Sequence, residues 1–204
     1  MILNPTFKGI VTTFVLAILL SFSFTNLKAY SNTAIVPLKI TVEGKLVITE
    51  AENDTTSGKD PTIDVLLKLS PSLENTVVSG SSGIRIRTNL KSWKLTAQRS
   101  TNEVNSLNIN PKDISLSFST KAGSKGNLHA AELISPFNEI TALNKISSDS
   151  PTEILIGKDK TSGLKDPENL ENWFQLTSTY SAVPDFFYNE GEFNTVISYS
   201  LVSP

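Results

Sequence analysis

The stretch Ile84-Arg85-Ile86-Arg87-Thr88-Asn89-Leu90-Lys91-Ser92-Trp93-Lys94-Leu95-Thr96-Ala97 alternates apolar and polar residues, stops at Asn89 to Ser92, and then resumes the alternation. Successive side chains of an extended strand point to opposite faces, so Ile84 and Ile86 share one face and Arg85 and Arg87 the other. Trp93, Leu95 and Ala97 are set against Lys94 and Thr96 in the same way. Two period-two runs on either side of a polar stop describe antiparallel strands with one wet face and one face turned to a core.

The pattern continues outward in both directions. Upstream stand Leu38, Ile40 and Val42, then Ile63, Val65, Leu67 and Leu69; downstream come Ile114, Leu116 and Phe118, and a last long run through Phe193, Thr195, Ile197, Tyr199 and Leu201. Clusters of Ser, Thr, Asn, Asp, Gly and Pro separate the runs, as turns require. Helical spacing is scarce. The best case runs from Pro136 to Ile146, with Ser135 as a cap and Phe137, Ile140 and Leu143 three apart, and a shorter turn is expected where Pro167 follows Asp166 on the way to Trp173. The expected fold is all-β: an antiparallel β-sandwich or flattened barrel of about eight to ten strands with one or two short helical turns.

At the N-terminus Lys8 precedes a charge-free apolar run from Ile10 to Phe24, followed by Leu27 and Ala29 at the −3 and −1 positions of a cleavage site. This is the layout of a signal peptide, and the run is shorter than the roughly 20 apolar residues that span a bilayer. Residues 1–29 are expected to be removed, leaving residues 30–204 as a single exported domain without a membrane span. Such a length buries its own core, and the cysteine count of zero excludes disulfides, thiol catalysis, cysteine metal sites and a lipidated N-terminal cysteine.

The remaining chemistry is mostly excluded as well. The chain has 18 Lys plus Arg against 20 Asp plus Glu, and losing Lys8 and Lys28 makes the remainder more acidic. No basic cluster supplies the attraction that nucleic acid binding needs. His129 is the sole histidine; it lacks a neighbouring Gly-x-Ser-x-Gly turn, and between Leu128 and Ala130 it reads as a half-buried strand residue. The acidic loops 50–60 and 159–171 carry no Asp-x-Asp-x-Asp-Gly spacing for Ca²⁺. No catalytic residue, metal site or cofactor is expected. A carboxylate pair for glycan hydrolysis is set by the fold and not by spacing, so a secreted glycan-active enzyme stays open.

Aromatic residues carry the remaining binding potential. Trp93 and Trp173 lie on or beside apolar alternations and read as core. Phe186-Phe187-Tyr188, between Pro184-Asp185 and Gly191, differs, because three consecutive aromatics cannot all point inward.

The ordered features resemble the WxL surface-domain proteins of low-GC Gram-positive bacteria. Val42-Glu43-Gly44-Lys45-Leu46-Val47-Ile48 is similar to the opening strand of that family and Trp93-Lys94-Leu95 to its first motif, and the segment Leu107 to Phe118 resembles the strand pair that follows. Trp173, Val183-Pro184 and the run from Gly191 to Pro204 resemble the closing region, where Tyr199-Ser200-Leu201 stands in place of a second Trp-x-Leu. The resemblance implies a non-catalytic module that attaches non-covalently to cell-wall peptidoglycan or another surface glycan, alongside other surface proteins. The binding candidates are Trp93, Leu95, Trp173, Phe186, Phe187, Tyr188, Tyr199 and Leu201, although alternation assigns the Trp-x-Leu motif itself to the core. The alternative is a fibre or pilus subunit assembled by strand addition, which needs an unpaired terminal strand.

Overall fold

The structure, a computed structural model, describes residues 42, 44–51, 67, 69–71, 73–74 and 76–203. The leader at 1–29 and most of the runs at Leu38–Val42 and Ile63–Leu69 lie outside the described residues.

Alternation produces strands over Ile84–Thr88, Trp93–Ala97 and Leu116–Phe118. The stretch quoted first becomes β2 and β3, and with β1 the opening strands are β1 (Leu46–Glu50), β2 (Val78–Thr88), β3 (Trp93–Arg99), β4 (Val104–Asn105) and β5 (Ser115–Ala122). They are followed by β6 (Ala131–Leu133), β7 (Thr141–Ala142), β8 (Thr152–Gly157), β9 (Phe174–Ala182), β10 (Phe193–Asn194) and β11 (Ile197–Val202). All pairings are antiparallel. One sheet has the order β1-β2-β9-β5-β7, a second has the order β11-β3-β8-β6, and β10 pairs with β4 in a two-stranded ribbon. The layers stay open at their edges, so of the two closures expected the sandwich is the one formed, and the barrel is not.

The inner faces meet through the residues that alternation marks as apolar. Ile84, Ile86, Leu116, Phe174 and Leu176 of the first sheet pack with Trp93, Leu95, Ala97, Ile154 and Leu155 of the second in one buried cluster. The Trp93 and Phe174 rings meet edge to face across the layers with centroids 6.4 Å apart. Burying a side chain of this size contributes about 1.5–3 kcal/mol through removal of apolar area from water. Most polar groups inside are paired, as burial demands, the Trp173 indole N–H and the Thr195 hydroxyl being exceptions among the described residues. Thr161, 1% exposed, accepts from the Thr88 backbone N–H at 2.9 Å and fastens its loop to the end of β2. The buried Ser178 hydroxyl lies 2.9 Å from that of Ser82 and takes a hydrogen bond from Tyr199 at 3.4 Å, linking the two sheets.

Three expectations are corrected. Pro136 to Ile146 forms no α-helix: a turn at Pro136–Glu139 leads into β7 and then a single 3-10 turn at Leu143–Lys145. The spacing by three misleads because the residues do not share a face. Phe137 enters the main core, Leu143 enters a smaller cluster, and Ile140 is 78% exposed. The C-terminal alternation is not one strand, since the chain crosses at Thr195 and Val196 from the ribbon to the second sheet. His129 is an exposed turn residue and not a half-buried strand residue, its N–H capped by the Asn127 side chain at 3.0 Å. At Asp166-Pro167 the chain makes one turn, closed by Asn169 N–H on the Asp166 carbonyl at 3.0 Å. The second 3-10 turn is Pro111–Asp113, capped by Asn110.

Candidate functional site

The aromatic run lies where the chain leaves β9. After Val183 and Pro184, the Asp185 carboxylate accepts the Phe187 N–H at 2.8 Å and the Asp185 carbonyl accepts the Tyr188 N–H at 3.2 Å. An Asp side chain that bonds its own backbone two residues on is a standard way to fix a turn. The middle residues of the turn point outward, leaving Phe186 71% and Phe187 76% exposed. Tyr188 turns inward and packs against the small cluster of Ile109, Ile114, Leu143 and Ala182, with its ring edge to face with Phe187 at 6.3 Å.

The segment that returns from the turn is fastened at several points. Asn189 N–H bonds to the Leu107 carbonyl at 3.0 Å, Ser106 N–H to the Glu192 carbonyl at 2.9 Å, and Glu192 N–H to the Ser106 hydroxyl at 2.7 Å. Gly191 has φ 155, and a Cβ there would meet the Ser106 hydroxyl at 2.3 Å. Only glycine gives both the conformation and the clearance. The result is a hydrogen-bonded rim beside a pocket of about 280 Å³, lined by Leu69, Leu107, Asp185, Tyr188, Asn189 and Glu190 among others. Burial raises the Tyr188 phenol above its ordinary value, and the carboxylates of Asp113 and Asp185 raise it further.

The other binding candidates lie elsewhere. Trp93 and Leu95 are 0% exposed, and the Trp93 indole N–H donates to the Asp159 carbonyl at 2.9 Å. Leu201 lies directly across from Leu95 and Tyr199 across from Ala97, so both motifs of the resemblance are neighbours on the core side of one sheet. Burial, with the neighbouring Tyr180, holds the Tyr199 phenol well above the usual value; its bond to Ser178 works the other way. Trp173 is 7% exposed, beneath the Arg85 guanidinium at 4.2 Å and the Lys121 ammonium at 5.8 Å. Of the eight candidates the structure therefore brings together Phe186, Phe187 and Tyr188 on one accessible loop. Sequence reading missed their companions Leu107, Asn189 and Glu190, which carry no local signal. Asp185 did have one, as a turn former just ahead of the aromatics.

Among the described residues no group of three or more His, Cys, Asp or Glu is arranged to hold a metal ion, and no helix is long and apolar enough to cross a membrane. In the loop 159–171 the Asp166 carboxylate is engaged internally. It accepts the Glu171 N–H at 2.6 Å and pairs with Lys125 at 3.3 Å, and the Glu171 bond leads in holding its pKa below the ordinary 3.8. A folded-state pKa below the unfolded one adds stability that is present above the unfolded value and lost as pH falls through the folded one. Asp166→Asn is therefore expected to lower the melting temperature at pH 7, with the gap to the parent closing below about pH 3.8. Paired melts across that range check it, and a gap that persists in acid contradicts the assignment.

No model of a known protein family matches the chain. No curated protein is significantly similar to it in sequence.

Proposed function

We propose that the protein is an exported, non-catalytic surface module that attaches non-covalently to the bacterial cell wall, with the Phe186–Phe187 turn and its pocket as the contact surface. One observation carries the reading: two adjacent phenyl rings, 71% and 76% exposed, stand on a turn closed by two hydrogen bonds to Asp185. Leaving such a side chain in water forgoes about 1.5–3 kcal/mol of burial, and a preorganised apolar tip beside a pocket is the form a contact surface takes. The resemblance to WxL surface domains supports the wall as the target. The fibre reading gains no comparable support from the C-terminal strand, since β11 is not unpaired but joins β3 from Ile197 to Val202 as the edge of its sheet.

The test is a pull-down with purified peptidoglycan sacculi. Phe186→Ala and Phe187→Ala are expected to stay within about 0.5 kcal/mol of the parent in stability, as exposed substitutions do, while retention on the sacculi is lost. Full retention by the double variant would remove this surface from the binding site.

A further inference from the structure

We infer that the pocket beside the phenylalanine turn receives a primary ammonium group of the bound wall polymer, held between the Tyr188 ring and the carboxylates of Asp185 and Glu190. This deepens the function proposed above and rests on it.

The shape comes first. The cavity of about 280 Å³ is bounded by apolar Leu69 and Leu107 and by the Tyr188 ring, and its polar lining is Asp185, Asn189 and Glu190. Among the described residues no Lys or Arg lines it, and neither Asp185 nor Glu190 makes a salt bridge. Asp185 has one carboxylate oxygen committed to the Phe187 N–H, which fixes its direction and leaves the other oxygen available. The Tyr188 phenol is raised first by burial, and the carboxylates of Asp113 and Asp185 raise it further.

A ligand suited to this lining is cationic, compact and attached to an apolar or ring-like body. The ammonium meets carboxylates and an aromatic face, both of which attract it, while the body lies on Phe186 and Phe187. Among the described lining residues an anionic polymer meets only like charge. Polymers of the wall offer such an ammonium from two sources: the side chain of a diamino acid in the stem peptide, and a sugar whose amine is not acetylated.

The experiment compares the whole exported protein on sacculi before and after acetylation of their free amines with acetic anhydride. It is paired with titration of a lysine-containing stem peptide, its Nε-acetyl form, a glucosamine oligomer and an N-acetylglucosamine oligomer. Acetylation is expected to weaken retention about fivefold, Glu190→Gln to weaken it in the same direction, and added salt to weaken the parent more than the variant. Binding of the free-amine peptide alone assigns the amine to the stem, and binding of the glucosamine oligomer alone assigns it to the glycan; either supports the inference. Equal retention on acetylated and untreated sacculi overturns it. If acetylation has no effect but Phe186→Ala with Phe187→Ala still abolishes retention, the surface stands and only the ammonium assignment fails. If the phenylalanine variants bind normally, the proposed contact surface falls as well.

Discussion

Trp93→Ala is expected to cost roughly 3–5 kcal/mol, the range for truncating a fully buried aromatic residue. The indole is 0% exposed, meets Phe174 of the opposite sheet edge to face and donates its N–H to the Asp159 carbonyl. Truncation removes apolar burial, opens a cavity between the layers and frees the loop that carries Asp159. For a domain of this size the loss corresponds to a fall in melting temperature of roughly 6–20 °C. Thermal and urea unfolding measure it. A variant that melts like the parent yet no longer binds sacculi would show that the motif touches the wall directly, against its burial here.

Gly157→Ala is the second large effect and acts from the other side of the same ring. Gly157 pairs with Trp93 across β3 and β8, and a Cβ built on it would lie 2.2 Å from two atoms of the indole. Contact that close is impossible, so the ring or the strand has to move, yet the ring is held by Asp159 on one edge and Phe174 on another. Overpacking of this kind costs about 1–3 kcal/mol and occasionally more. The combination with Trp93→Phe, which removes the larger ring, is expected to be less destabilised than the sum of the two single changes. A double-mutant cycle in urea reads that coupling, and strict additivity would mean that the clash is relieved elsewhere.

The strands legible from sequence were those with a local reason to alternate: Ile84 and Ile86, Trp93 to Ala97, and Leu116 with Phe118 all face the core as read. What failed depended on distant partners. Nothing between Phe193 and Leu201 marks a break, since neither Gly nor Pro interrupts the run; the chain changes sheets there because β4 and β3 offer separate edges. Phe137 and Leu143 have helical spacing yet serve two different clusters. The candidate site divides in the same way. Phe186-Phe187-Tyr188 was readable because three consecutive aromatics cannot all be buried, whereas Leu107 and Glu190 reach the pocket only through the pairing of the ribbon, between residues 86 positions apart at Ser106 and Glu192.

The placement of β11 has a kinetic consequence. It covers β3, and the contact between Thr96 and Ser200 spans 104 positions, so the second sheet is closed by the last of the described strands. Such non-local pairing is slow, because the loop entropy is lost before the contact rewards it. Until Ile197 to Val202 dock, β3 presents an unpaired edge with Leu95 and Ala97 uncovered beside it, a surface prone to pairing between molecules. Any condition that delays the docking of β11 prolongs that exposure and lowers the yield of native domain in favour of association.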